Sequence, residues 1–123
     1  MKNLLILFVF SFLSSAAFTQ IPTNMAYEVI VKNALGQVVA NQNVGIQLTV
    51  LHGSSDGTVL LQETHFVTTD ANGQVVLSIG DGTNLNGSFE LIDWADAEIF
   101  IKTERDLAGG TAYTLVEVGQ MQF

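Results

Sequence analysis

The chain has 123 residues, of which 4 are Lys or Arg and 12 are Asp or Glu, so its formal net charge is −8. The acidic surplus argues against a nucleic-acid partner, because phosphate binding requires clustered Lys and Arg, and it argues equally against anionic membrane surfaces. The chain contains no Cys, which excludes disulfides, thiol catalysis and Cys-based zinc sites. This length fits one domain.

The first 19 residues have the pattern of a secretory signal peptide. Lys2 supplies a positive charge, Leu4–Leu13 is an apolar run broken only by Ser11, and small residues follow at 14–17. Such a run is too short to span the ~30 Å hydrocarbon core of a membrane as a helix. We predict cleavage after residue 17 or 19, with a preference for 19. The remaining domain, 20–123, is then exported without a membrane span.

The mature chain is predicted to consist of strands separated by turns. Apolar and polar residues alternate over Val44–Val50, and this period of two is typical of a half-buried strand. The pattern returns at 75–79 and at 99–101. Seven strands are predicted, at 25–32, 37–40, 44–52, 58–68, 74–79, 97–104 and 111–122.

Turn residues separate these strands. Asn33–Gly36 has the composition of a turn, and Asp70–Gly73 that of a hairpin connection with Asn and Gly at positive φ. The segment 80–88 is predicted to be a wide loop, and Phe89–Trp94 a short turn. This arrangement predicts an all-β protein, an antiparallel β-sandwich with Greek-key connections. Its predicted core is Val44, Ile46, Leu48, Val50, Val75, Leu77, Ile79, Ile99 and Ile101.

Short motifs follow one another along the mature chain. The most specific is Gly87-x-Phe89-x-x-Ile92-Asp93-Trp94. The others are Tyr27–Val31, Asn33–Val38, Ala40–Gln42, Val44-x-Ile46-x-Leu48, Glu63–His65, Thr68–Gly73, Ile79-Gly80-x-Gly82, Phe100–Lys102 and Gly109-Gly110-x-x-Tyr113.

Taken in this order, the motifs resemble the N-terminal module of secreted, fibre-type (tail-fibre or collagen-like) surface proteins of the Bacteroidota. The resemblance implies an immunoglobulin-like β-sandwich of about seven strands, and no catalytic residues. That family usually continues into a further segment, so the chain is expected to be either a stand-alone module or a truncated fibre protein. A shorter stretch, Val38 to Gly73, also resembles bacterial immunoglobulin-like adhesin repeats of the invasin type.

Two groups of residues have side chains of the types found in catalytic or metal sites. His52, Ser54 and Asp56 are the residue types of a hydrolase triad, but five consecutive positions cannot converge as a triad must. Glu63 and His65 share one face of a strand, and a metal there would need His52 to join from another strand. We interpret the first group as a strand-end loop and His65 as a packed, hydrogen-bonded side chain.

Two further candidates lie between 80 and 96. Calcium binds six to eight oxygen ligands, and this segment is rich in them; we predict no metal or cofactor, with calcium as the alternative. Trp94 could stack on a sugar, but a lone Trp in a sandwich is more often packed in the core. The calcium ligands would be Asp81, Asn84, Asn86, Asp93 and Asp96.

These observations predict a non-enzymatic, exported β-sandwich with a structural or adhesive role at the cell surface. Its partner would be a protein or a glycan, and self-association is left open. The alternative function is a small carbohydrate- or peptide-binding module that uses the 80–96 loops. The destination is the cell surface or the medium, with the periplasm as the alternative.

The signal-peptide prediction can be tested directly. Produced in a Gram-negative host, the exported protein should lack its first 17 or 19 residues, because the charged start, apolar run and small residues match the signal-peptidase pattern. Intact-mass spectrometry of the exported fraction measures this. Retention of Met1 on exported protein, or a chain embedded in the inner membrane, would contradict the prediction.

Overall fold

The computed structural model describes residues 24–95 and 98–121, which contain seven strands and one single-turn 3-10 helix. The predicted signal peptide lies outside these residues. The 3-10 helix spans Phe89–Leu91, within the predicted turn. The strands are β1 Met25–Ile30, β2 Asn43–His52, β3 Thr58–Thr68, β4 Gln74–Ile79, β5 Thr83–Gly87, β6 Ile99–Asp106 and β7 Thr114–Gln120.

The strands form two antiparallel sheets of unequal size. One has five strands in the order β5-β3-β2-β6-β7, and the other has only β1 and β4. The chain changes sheet between β1 and β2, between β3 and β4, and again between β4 and β5. The predicted all-β sandwich is therefore confirmed. Within the described residues, no helix is long and apolar enough to cross a membrane.

The core between the sheets is the one that the alternation predicts. All nine predicted core residues are buried, each with an exposed fraction of 5% or less. Burying an aliphatic side chain of this size stabilises a fold by about 1.5–3 kcal/mol. The two-residue period therefore identified the faces of β2, β4 and β6 that meet across the sandwich.

The turn at Asp70 forms, but it does not close a hairpin. The side-chain Oδ1 of Asp70 accepts hydrogen bonds from the backbone N–H groups of Asn72 (2.8 Å) and Gln74 (2.9 Å), and Gly73 has a φ of 76°. The strands on either side, β3 and β4, belong to different sheets. The hairpin prediction is wrong because the local turn chemistry sets the chain reversal and does not determine which strands pair.

Two predictions of strands and loops are also wrong. The predicted strand at 37–40 is reduced to one isolated bridge between Lys32 and Val38, since Asn33 Oδ1 accepts from the N–H groups of Leu35 and Gln37 and curls the chain. The predicted loop 80–88 contains β5, an exposed edge strand that pairs with β3. Tertiary pairing produces a strand there although Asn and Gly have low strand propensity.

The end of β5 depends on a glycine. Gly87 has a φ of 77°, and a Cβ at this position would lie 1.9 Å from the carbonyl oxygen of Leu60 on β3. Gly36 has a similar φ of 81°, yet no atom lies within 4 Å of where its Cβ would be. The two positions share the backbone constraint and differ in crowding.

We expect Gly87→Ala to lower the free energy of unfolding by about 3 kcal/mol or more, because a steric clash adds to left-handed strain. Gly36→Ala is the matched control and should cost only the strain, about 1–2 kcal/mol. Urea denaturation of residues 20–123 measures both. Equal losses in the two variants would show that β5 does not pack closely on β3.

Candidate functional site

A buried carboxylate lies where the chain passes from β4 to β5. Glu63, on β3, has an exposed fraction of 1%. Its two carboxylate oxygens accept hydrogen bonds from the backbone N–H of Gly80, at 3.0 and 3.1 Å. Its Oε2 also lies 2.5 Å from Nε2 of His65. Glu63 therefore ties the inner face of the five-stranded sheet to the end of the two-stranded sheet.

The chain is closely packed at this corner. A Cβ on Gly82 would lie 2.6 Å from Nε2 of His65, so the chain entering β5 presses against the imidazole. His52 cannot join, because it lies six residues along β2 from Ile46, the partner of His65, or about 20 Å away. In the described part of the chain, no group of three His, Asp or Glu side chains could hold a metal ion.

Three of the five residues of the calcium alternative, Asp81, Asn84 and Asp93, make separate hydrogen bonds. Asp81 Oδ2 accepts from Asn24 (3.1 Å) and from Ser78 Oγ (2.6 Å). Asn84 donates to the carbonyl of Gly87, and Asp93 Oδ1 accepts from the N–H of Ala95. Asn86 is exposed on β5, and Asp96 lies outside the described residues. These contacts stabilise turns.

The predicted strand-end loop has the same character. Ser54 Oγ accepts from the N–H of Asp56 at 3.2 Å, within the tight connection from β2 to β3. Both side chains belong to exposed residues, and His52 is the last residue of β2. The loop shows the local hydrogen bond of a turn.

Trp94 packs at one end of the sandwich. It is half-buried, lies against the core and has its indole Nε1 shielded from solvent. Its ring centroid lies 5.0 Å from that of Phe89, which is buried together with Ile92. Leu91, in the same turn, points outward with an exposed fraction of 88%. The turn therefore presents one buried face and one exposed apolar side chain.

The two-stranded sheet leaves part of the larger sheet uncovered. Glu117 and Gly119 of β7 pair with Thr103 and Ile101 of β6, so all four residues lie on the inner face. Thr103 and Ile101 are buried, whereas Glu117 and Gly119 are exposed. β7 therefore extends beyond the two-stranded sheet, with its inner face in solvent.

Next to this uncovered face lies one edge of β1, with which no strand of residues 24–95 and 98–121 pairs. The N–H of Val31 donates to the carbonyl of Gly73 on the β4 side, and main-chain groups of alternate residues point the same way. The carbonyl of Lys32 points oppositely and accepts from Nε of Arg105 at 2.9 Å. By this alternation, the outward-pointing main-chain groups ahead of Lys32 belong to Ala26, Glu28 and Ile30.

A groove of about 510 Å³ runs between the β1 edge and β7. Arg105 closes one end, because its guanidinium donates to the carbonyl of Lys32, two residues beyond the end of β1, and to the side chain of Thr114 on β7. Two of the four Lys and Arg residues of the chain are at this end. Glu28 and Glu117 are among the residues that line the remainder, and the Glu28 carboxylate accepts a hydrogen bond from Nε2 of Gln74 on β4. The groove is thus basic at the Arg105 end, and Glu117 places an acidic residue on the β7 side.

Tyr27 holds β1 in place above β6. Its hydroxyl lies 3.0 Å from Thr103 Oγ1. Burial raises the pKa of Tyr27, and the nearby Glu117 carboxylate raises it further, while the hydrogen bond with Thr103 acts in the opposite direction. Glu117 pairs with Thr103 on the inner face of the larger sheet and is one of the residues that line the groove.

Sequence reasoning did not identify this groove. Its residues are ordinary members of strands, and the alternation of Glu28, Ile30 and Lys32 is the one signal that could have indicated an exposed, charged edge. The groove itself depends on how many strands each sheet receives, which the alternation does not reveal.

Fold and surface together define the class: a small antiparallel β-sandwich with unequal sheets and an open groove at one edge. A family model described as "Domain of unknown function (DUF8740)" matches residues 26–120, and the chain belongs to this family. No curated protein and no solved structure shows significant similarity to the chain. The matched residues begin in β1 and end at the last residue of β7, so they include all seven strands.

The Glu63 corner yields a stability prediction. Glu63→Ala should lower the free energy of unfolding by about 3–5 kcal/mol, because buried polar partners lose the carboxylate. Glu63→Gln keeps the volume and one acceptor oxygen and should cost about 1–3 kcal/mol. Glu90→Gln, on an exposed side chain, is the control and should change stability by less than about 0.5 kcal/mol. Chemical denaturation that ranks the three otherwise would contradict the structural role.

Trp94 and Leu91 form a second matched pair. Trp94→Ala should cost about 3 kcal/mol, near the lower end for large aromatic truncations because the ring is only half-buried. Leu91→Ala should cost less than about 0.5 kcal/mol. Chemical denaturation followed by circular dichroism measures both variants. A Trp94→Ala loss below about 1 kcal/mol would instead favour a ligand-facing indole.

Proposed function

We propose that this chain is a non-enzymatic, exported β-sandwich module with a structural or adhesive role at the cell surface. The observation that carries the proposal is the unequal size of the sheets. Unpaired strand edges and an uncovered inner face are where one protein adds to another through main-chain hydrogen bonds. Ser54, Asp81 and Asp93 make hydrogen bonds in turns, and Glu63 and His65 form the buried corner, so the groove is the candidate surface that we favour.

Two further observations support this proposal. The motif order resembles the N-terminal module of fibre-type surface proteins of the Bacteroidota, in which such a module precedes extended segments. The net charge of −8 favours solubility and opposes pairing between exposed edges of identical chains. Both suit a module that stays separate until it meets a different partner.

Localisation tests the proposal first. The full chain with an epitope tag after Phe123 should become accessible to antibody on intact Gram-negative cells, or appear in the medium. Labelling that requires permeabilisation of the outer membrane would indicate the periplasm instead. Retention in the cytoplasm would contradict export. Comparing the adhesion of cells that produce the chain with that of cells that lack it then tests the adhesive role.

A carbohydrate- or peptide-binding role for the 80–96 segment is the second candidate. The observation that favours it is the exposed Leu91 beside the half-buried Trp94, which together offer an apolar platform for a sugar ring or an apolar side chain. Screening the purified chain against a glycan array, with Leu91→Ser as the comparison, tests this role. Binding that disappears in Leu91→Ser without a loss of stability would favour it over the structural role.

A further inference from the structure

The smaller sheet has room for one more strand. β1 lies above β6, as the contacts of Tyr27 with Thr103 and of Lys32 with Arg105 show. β7 lies one strand further out in the larger sheet. A strand added to the free edge of β1 would therefore lie above β7 and cover Glu117 and Gly119. The groove between β1 and β7 occupies this position.

We propose that an extended segment of a partner protein adds to the free edge of β1 and completes the smaller sheet over β7. The proposal rests on the proposed function as an interaction module and names the occupant of its groove. The main-chain groups of Ala26, Glu28 and Ile30 point outward and supply the hydrogen bonds. Arg105 ends the ladder, because it already occupies the carbonyl of Lys32.

A second copy of the chain does not fit this edge in the antiparallel manner. Antiparallel pairing of two β1 strands uses a two-fold axis perpendicular to the sheet, which places both five-stranded sheets on the same side. The β6 strand of the second copy would then fall where β7 of the first copy lies. A single strand that does not bring a second sheet beneath it fits beside the free edge of β1, above β7.

The exposed side chains along the β1 edge indicate the chemistry of the partner segment. The exposed side chains of Glu28 and Ile30 on β1, and of Lys32 just after it, form a row on the outer face, since buried Val29 and Val31 alternate with them. In an antiparallel strand, the residues opposite this row would be basic, apolar and acidic, respectively. Read from its own amino terminus, the segment therefore runs acidic, x, apolar, x, basic. A second basic residue facing inward would meet Glu117.

The test uses a synthetic peptide of about nine residues in which an acidic, an apolar and a basic residue alternate with threonine in that order. A control peptide exchanges the acidic and basic residues. Titration of isotope-labelled chain, residues 20–123, should shift the amide resonances of Glu28 and Ile30 in a saturable way. The control peptide should bind about tenfold more weakly.

Two proline variants separate the β1 edge from the rest of the fold. Ile30→Pro removes an outward N–H of β1, and Val76→Pro removes one on the opposite free edge of the same sheet. Both side chains are exposed, by 42% and 65%, and neither outward N–H takes part in the β1–β4 ladder. Ile30→Pro should weaken peptide binding by about tenfold or more, and Val76→Pro by less than about twofold. Circular dichroism confirms that both variants fold.

A charge exchange provides an independent arm. The double variant Glu28→Lys with Lys32→Glu should reverse the preference, so that the control peptide binds more tightly. Equal effects of the two proline variants, or no amide shifts at the β1 edge up to the solubility limit of the peptide, would overturn the proposal. A dimer seen by sedimentation that Ile30→Pro abolishes would assign the edge to a second copy and overturn it as well. Surface localisation of a chain that fails these binding tests would leave the proposed function intact.

Discussion

The buried carboxylate of Glu63 determines how the two sheets lie relative to each other. A carboxylate in an apolar core is costly unless it receives hydrogen bonds, and here its partners are the N–H of Gly80 and the ring of His65. This requirement brings the end of β4 onto β3. It also sets the start of β5, because the chain must pass His65 at Gly82, where a side chain would not fit. The smaller sheet is therefore held toward the β3 side, and β7, at the far edge, stays uncovered.

The sequence predicted the strands that carry their own pattern. β2 and β4 were placed to within one residue, because alternation of apolar and polar residues reports directly which face is buried. β3 was predicted at its observed bounds, 58–68, although its apolar residues do not alternate. β5 carries no such pattern, since its five residues are all exposed and it exists through its pairing with β3. The hairpin expected at Asp70 failed for a related reason. Turn chemistry is local, whereas the choice of sheet depends on packing between distant segments.

The candidate site shows the same division. The oxygen-rich residues that suggested calcium are types that turns favour. The Asp93 carboxylate accepts from the N–H of Ala95, and the Asp81 carboxylate accepts from the side chains of Asn24 and Ser78. Asp106 behaves likewise: hydrogen bonds from the N–H groups of Ala108 and then Ala112 lower its pKa. The sequence shows where such oxygen-bearing residues are, but it does not show whether they bind a metal ion or stabilise a turn. The groove at β1 could not be predicted at all, since it results from a count of two strands against five.

A sheet with an unpaired edge strand is prone to aggregation, because exposed strand edges pair with one another. In this chain, the position of β7 and the charges along the β1 edge oppose such pairing. Because β7 extends below the free edge of β1, two β1 strands cannot pair in the antiparallel manner. The exposed charges of Glu28 and Lys32 disfavour pairing with a wholly apolar strand. In the proposed complex, the same two features restrict which segment can bind in the groove. A single strand fits above β7, and its charges must be opposite to those of Glu28 and Lys32. In the proposed strand addition, exclusion of a second copy and selection of the partner segment have the same physical cause, and a substitution that weakens one should weaken the other.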